Sequence, residues 1–148
     1  MALVVDEEGA VTRFSFLHRE PQKPAALSRT ARTRETIISF RRQLDEYFDR
    51  KRTGFDLPLN PKGKELERRV WASLQAIPYG TTTTYGAIAA RLNIENGARA
   101  VGRANGANPI PIVIPCHRVI GSDGSLVGYG AGLRIKEALL RLEGVLLP

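Results

Sequence analysis

The sequence predicts an α/β chain in two parts: a small sheet-plus-helix domain over residues 1–60, then a mainly helical domain over 61–148 that contains a helix-turn-helix. Three observations lead there. Strand-like apolar residues flank a turn signal near the start, and apolar residues then recur at helical spacing in several separate stretches. Between the parts, Thr53 to Gly63 holds two prolines and two glycines and cannot continue a helix. With 148 residues, 43% hydrophobic and 25% charged, the chain can bury one good core or two small ones.

Val4-Val5, the Glu8-Gly9 turn signal and Val11 to Leu17 predict a short β-hairpin, and Pro21 to Arg34 reads as an irregular connector. Ile37, Phe40, Leu44, Tyr47 and Phe48 recur at helical spacing, so Glu35 to Phe48 is expected to be an amphipathic helix with Arg41-Arg42 on its solvated face. In the second part, Leu66, Val70, Trp71, Leu74 and Ile77 form one face of a helix that ends at Pro78-Tyr79-Gly80. Thr81 to Leu92 predicts a short helix with a threonine cap and Tyr85, Ile88, Ala89 and Leu92 on one stripe. After a break at Asn93 to Gly97, a further helix runs over Ala98 to Asn108 and is stopped by Pro109, and the pair reads as a helix-turn-helix. Nearly every side chain of that second helix is Ala or Gly, with Arg99 and Arg103 projecting and Val101 as the anchor. Such a helix suits close packing against protein or entry into a nucleic-acid groove with arginine probes, but not base readout through Asn, Gln or Ser. Gly121 to Gly132 is a glycine-rich loop that lacks the phosphate-cradle spacing and follows no clear strand; it reads as a mobile lid around Tyr129. A last helix is expected from about Leu133 to Leu142, with Leu139 and Leu142 inward and Glu143 before Gly144.

The net charge of +7 favours an acidic partner, most simply nucleic acid. It is unevenly spread: 11 basic against 9 acidic residues give +2 over residues 1–60, and 11 against 6 give +5 over 61–148, so the second part is the expected binding part. No apolar run approaches the ~18 residues of a membrane span, and acids stand near the N-terminus where a signal peptide would be basic, so a cytoplasmic location without membrane association is expected.

One cysteine, Cys116, stands in Pro111-Ile112-Val113-Ile114-Pro115-Cys116-His117-Arg118-Val119-Ile120. A lone thiol forms no internal disulfide, and with only His18 and His117 beside it there is no set for a zinc site, so no metal is expected. It is either a nucleophile or an inert core residue. Free cysteine has a pKa near ~8.5, and an adjacent imidazole raises its thiolate fraction.

Trp71 through Gly144 resembles the catalytic domain of the O6-alkylguanine-DNA alkyltransferases, suicide DNA-repair proteins. The resemblance is carried by Ile77-Pro78-Tyr79-Gly80, Thr84-Tyr85-Gly86, Arg99-Ala100-Val101-Gly102, Asn108-Pro109 and Ile114-Pro115-Cys116-His117-Arg118-Val119, in the right order and spacing. It implies an α/β first part and a mainly helical second part. It also implies transfer of an alkyl (methyl) group from O6 of guanine, and less efficiently from O4 of thymine, irreversibly and stoichiometrically to Cys116, with no cofactor. The implied partner is double-stranded DNA carrying alkylated guanine, bound by a monomer from the minor groove with the base flipped out.

The resemblance further implies that His117 activates Cys116 through a water and is itself held by Glu143, and that Asn108 braces the turn presenting the thiol. Tyr85 would lie near the target phosphate and offer its hydroxyl to the departing ring. The carbonyls of Cys116 and Val119 would receive the guanine amino group, the backbone of Gly130 would reach the reacting oxygen, and Tyr129 would wall the pocket. Arg99 would fill the emptied place in the stack, on a DNA-contacting helix with Ala98, Ala100, Gly102 and Arg103. Gly130, Ala131 and Leu142 depart from residues common in the family (Ser, Gly and His), which implies a differently shaped pocket. Two other readings are a non-enzymatic DNA-binding module and a cysteine hydrolase. The featureless helix disfavours the first; adjacent Cys and His, poorly placed for direct proton relay, and the lack of an oxyanion-hole motif disfavour the second.

Overall fold

A computed structural model describes residues 1–16 and 30–145. They form two compact units, Met1–Lys62 and Gly63–Pro148, and the architecture is α/β. In the first unit, strands β1 (Ala2–Val5) and β2 (Val11–Ser15) pair antiparallel with Leu3 opposite Phe14 and Val4 opposite Arg13. Asp6 closes their turn: its carboxylate accepts the Ala10 N–H at 2.8 Å, and Gly9 takes the left-handed φ of +86° that the reversal needs. The hairpin's expected end at Leu17 and most of the expected connector lie outside the described residues.

Helix α1 spans Ala31–Phe48 and so takes in four residues expected in the connector; Thr30 caps it by accepting the Thr33 N–H at 3.2 Å. Its buried face also differs from the expected one. Thr33, Thr36, Phe40, Gln43, Leu44 and Tyr47 are inward, whereas Ile37 and Phe48 are exposed. The reason is that this face must bond backbone as well as cover apolar surface. Thr33 Oγ1 donates to Asp6 O (3.0 Å), Thr36 Oγ1 to Gly9 O (2.6 Å), and the Gln43 amide exchanges two bonds with the Asp56 backbone (2.8 and 2.9 Å). Satisfied in this way, those backbone groups escape the penalty of an unmade buried bond. Phe14 packs on Phe40 with ring centroids 5.0 Å apart, and Arg41 and Arg42 face solvent as expected.

The second unit opens with α2 (Glu65–Gln75), started by Glu67 Oε1 accepting the Lys64 N–H at 2.8 Å and ending short of the expected Pro78. Val70, Trp71 and Leu74 are its buried stripe, and the Trp71 indole N–H donates to Ala104 O at 2.8 Å. The helix expected from Thr81 is Tyr85–Arg91 (α3), because Thr83–Thr84 (β3) instead pairs parallel with Val119–Ile120 (β4). Thr84 Oγ1 caps α3 through the Ala87 N–H at 3.1 Å. After a turn containing Asn93 and Asn96 at positive φ, α4 runs Ala98–Gly106, two residues shorter than expected, and packs on α3 and α2. The chain then passes through a 3-10 turn at Cys116–Arg118, strand β4 and the glycine-rich loop to α5 (Leu133–Leu142). A strand therefore does precede that loop. No helix among the described residues is long and apolar enough to cross a membrane.

Gly63 gives a stability test. A Cβ there would run into the ring of Trp71, which is 1% exposed, whereas a Cβ on Gly54 meets nothing within 4 Å. Gly63→Ala should therefore lower unfolding free energy by about 1–3 kcal/mol through overpacking, and Gly54→Ala should be neutral or slightly stabilising. Urea midpoints for the two variants check this; equal midpoints would mean that the contact at Gly63 relaxes freely.

Candidate active site

Cys116 is reached through a tight reversal after α4. The Ile114 N–H donates to Ile110 O (3.0 Å), and Asn108 clamps both arms, its Oδ1 accepting from Ile110 N (3.0 Å) and its Nδ2 donating to Ile114 O (2.8 Å). At the apex Ile112 has φ of +70° although it is β-branched and 1% exposed. A left-handed β-branched residue costs on the order of 1–3 kcal/mol and persists only where the surroundings over-determine it. Asn108 and the burial of Ile110, Ile112 and Ile114 supply that determination, and they direct Pro115 and Cys116 into the interior. Cys116 is 4% exposed.

His117, wholly buried, places Nε2 2.8 Å from Glu143 Oε1. Arg118 grips the same carboxylate with two prongs, Nε to Oε2 at 2.9 Å and Nη2 to Oε1 at 2.8 Å; its Nη1 donates to Ile77 O at 2.7 Å, and its guanidinium lies 5.7 Å from the Tyr79 ring centroid. Burial pulls the His117 pKa below its ordinary value, with the carboxylate acting against that shift. The His117–Glu143 contact is thus a hydrogen bond from a neutral imidazole, with Nε2–H donating. That tautomer leaves Nδ1 as a bare acceptor, and Nδ1 makes no hydrogen bond among the described residues. Burial likewise pushes the Cys116 thiol up, countered by the Asn108 amide and the Lys136 ammonium. Resting thiol and resting imidazole are both neutral.

The Tyr85 hydroxyl donates to Val127 O at 2.9 Å, and burial raises its pKa. Val127 O also receives Lys136 Nζ at 3.0 Å, while the same ammonium donates to Val119 O at 2.5 Å. Tyr129 is half-buried. Its hydroxyl lies beside the Cys116 sulfur without a hydrogen bond of good geometry among the described residues, and burial drives its pKa up. Gly130 is exposed, with open space where a Cβ would sit. On α4, Ala98, Arg99 and Arg103 are exposed and Ala100 and Gly102 half-buried, whereas Val101, Ala104 and Asn105 face the core. Cys116, His117, Glu143 and Asn108 thus meet in one buried cluster with Val119 and Tyr129 beside it, and the arginines of α4 stay on the surface. Sequence reasoning missed Lys136, Arg118 and Asn105 as members. Lys136 did leave a signal, since it shares the inward face of α5 with Leu139 and Leu140, where an unpartnered charge is not tolerated.

Residues 65–145 match the DNA-binding domain of 6-O-methylguanine DNA methyltransferase. A methylated-DNA--protein-cysteine methyltransferase of Mycolicibacterium paratuberculosis is 56% identical over 101 residues, 68% of this chain and 61% of the relative; one from Methanosarcina acetivorans is 53% identical over 103 residues, 70% and 66% respectively. The matched stretch is thus under two thirds of those relatives' length. Among solved structures, the Mycobacterium tuberculosis O6-methylguanine methyltransferase superposes with TM-score 0.80 at 40% identity, covering 99% of this chain and 88% of that one. The Mycobacterium tuberculosis OGT in complex with DNA gives 0.78 at 37%, covering 95% and 90%.

The two neutral groups set a pH signature. A His117 pKa held below 6.5 contributes stability that is present above that value and lost as pH falls; a Cys116 pKa held above 9.0 contributes stability that is present below that value and lost as pH rises. Denaturation of the unmodified protein and of Cys116→Ala between about pH 5 and about pH 10 should give a stability difference that is flat to about pH 9 and then shrinks. A difference independent of pH would mean the thiol is not shifted upward.

Proposed function

The chain belongs to the 6-O-methylguanine DNA methyltransferase family, and from that membership we propose that it repairs DNA by moving the methyl group of O6-methylguanine, and less efficiently of O4-methylthymine, onto Cys116. The observation that carries this reading is the buried imidazole beside the only cysteine. Its Nε2 is committed to Glu143 and its bare Nδ1 is left to accept a proton. A water between thiol and Nδ1 takes the Sγ proton and passes one to His117. The thiolate then attacks the saturated carbon in line; the S–C bond forms as the C–O bond breaks, and the C–O electron pair stays on the purine. Tyr85 lends a hydrogen bond as that charge grows, and its raised pKa suits it to donate without losing its proton. To do so its hydroxyl exchanges Val127 O for the base. The departing guanine takes a proton from solvent.

The carbonyls of Cys116 and Val119 receive the 2-amino group, the Gly130 backbone reaches the reacting oxygen, and Tyr129 walls the base. A base inside a duplex lies out of reach, so it is rotated out, and Arg99 enters the stack from the minor groove as the protein binds as a monomer. Exposed Arg99 and Arg103 on a helix of small residues support that docking: Ala98, Ala100 and Gly102 let the backbone come close while the guanidiniums project. Residues 63–148 would hold the whole reaction centre.

Intact mass after incubation with an oligonucleotide bearing one O6-methylguanine should show a gain of one methyl group, on the peptide containing Cys116, and then no further reaction. Cys116→Ala should take up none yet still bind the damaged duplex. Repeated turnover, or label elsewhere, rules the suicide reaction out.

Arg99→Ala should slow repair in duplex DNA by about tenfold or more while hardly affecting the free base O6-methylguanine, because only the duplex reaction includes the few kcal/mol of unstacking. Affinity for duplex should also fall steeply with salt, about 0.9 in log–log slope for each phosphate neutralised. Equal losses on both substrates, or a flat salt response, count against the docking mode.

A further inference from the structure

Asn105 lies in the last turn of α4, 3% exposed, on the face that also buries Val101 and Ala104. An apolar side chain would fill that position without polar cost. The amide that stands there leaves its Oδ1 buried and without a hydrogen bond among the described residues, which opposes folding. Its other end makes one contact: Nδ2 donates to the carbonyl oxygen of Cys116 at 3.4 Å. The amide cannot be turned over to relieve Oδ1, because that would set two acceptors against each other. Stability therefore does not account for Asn105, and its contact with the reacting residue's carbonyl does.

The same oxygen accepts the Val119 N–H that ends the 3-10 turn, so Cys116 O is held by its own backbone on one side and by Asn105 on the other. The neighbouring acceptor, Val119 O, is gripped by Lys136 Nζ. Two adjacent carbonyls are thus each aimed by a buried side chain from a different helix, α4 or α5. Each oxygen already holds at least one donor, so a ligand's N–H can enter only as a further donor along a fixed direction, and two acceptors fixed in this way are complementary to a group presenting two N–H donors. The 2-amino group of guanine is such a group; hypoxanthine and thymine have none there. We propose that Asn105 is a positioning residue for purine choice: by fixing the direction of the Cys116 carbonyl it gives the site its preference for bases with a 2-amino group. This rests on the alkyl-transfer reading and adds to it a determinant of which alkylated base reacts.

The test uses the full chain and two duplex oligonucleotides, one with O6-methylguanine and one with O6-methylhypoxanthine, which differ only in the 2-amino group. Single-turnover methylation is measured for the unmodified protein, Asn105→Leu and Asn105→Ala. Both variants remove the donor, and they differ in volume. The unmodified protein should react faster with the guanine substrate, and in both variants the guanine-to-hypoxanthine rate ratio should fall by about three- to tenfold, the size of one hydrogen bond. Because the ratio is internal to each protein, partial unfolding of a variant does not alter it. Rates that fall equally on both substrates, a ratio that falls only in Asn105→Leu or only in Asn105→Ala, or a ratio that rises because the amide competes with the base, would each overturn the inference. Absence of methylation of the unmodified protein with both substrates would instead defeat the alkyl-transfer reading itself.

Discussion

One carboxylate receives three buried donors: two from Arg118 and one from His117, all converging on Glu143. Taking a guanidinium and a carboxylate out of water costs several kcal/mol per ion unless each finds its full set of partners. That requirement organises the second unit. The remaining guanidinium nitrogen, Nη1, donates to Ile77 O just after α2, Tyr79 lies alongside the guanidinium, and Glu143 itself is supplied at the end of α5. Elements distant in sequence are thereby fixed to the 3-10 turn that carries Cys116. What the arrangement gains is orientation: with Nε2 committed, His117 has one tautomer and one direction for its free nitrogen.

A second constraint comes from the other side of the sulfur. Ile112 holds a backbone conformation that isoleucine avoids, and the Asn108 clamp and a dense isoleucine cluster keep it there. Helix α4 feeds directly into this reversal. Its buried side reaches Cys116 through Asn105 and is tied to Trp71 through Ala104, while its outer side presents Arg99 and Arg103. The surface proposed to meet DNA and the carbonyl of the proposed nucleophile therefore belong to, or are held by, the same nine-residue helix. A short element whose outer face is small apart from its two arginines suits both tasks, since bulk between those probes would hold a docked duplex away.

Legibility followed the kind of force involved. Where apolar burial sets the structure, as along Val70, Trp71 and Leu74, helical spacing showed it directly. Where backbone satisfaction shares the work, spacing misled: Thr33, Thr36 and Gln43 turn inward on α1 to serve the hairpin and the Asp56 backbone, and Ile37 is left outside. Strands β3 and β4 have two residues each, too few for any period, and their pairing joins segments far apart in sequence. At the site, the lone Cys116 with His117 beside it stood out because those residue types are scarce here. Arg118, Lys136 and Asn105 did not, because their partners are carbonyls or carboxylates 9 to 41 residues away and no local pattern encodes them.

The resting protonation states bear on how such a centre stays usable. A thiol kept protonated by burial reacts slowly with stray electrophiles, and a neutral imidazole beside it does not force ionisation. In the proposed reaction both penalties are overcome only when a base fills the site and its breaking C–O bond draws the thiolate forward. The product is then a thioether, whose carbon would have to expel a thiolate to react again. Cys116 is the only cysteine of the chain, so no second thiol is at hand to take the group away. In the proposed reaction, the burial that protects the sulfur beforehand would also protect the alkylated sulfur afterwards, and that chemistry would make the centre single-use without any further device in the fold.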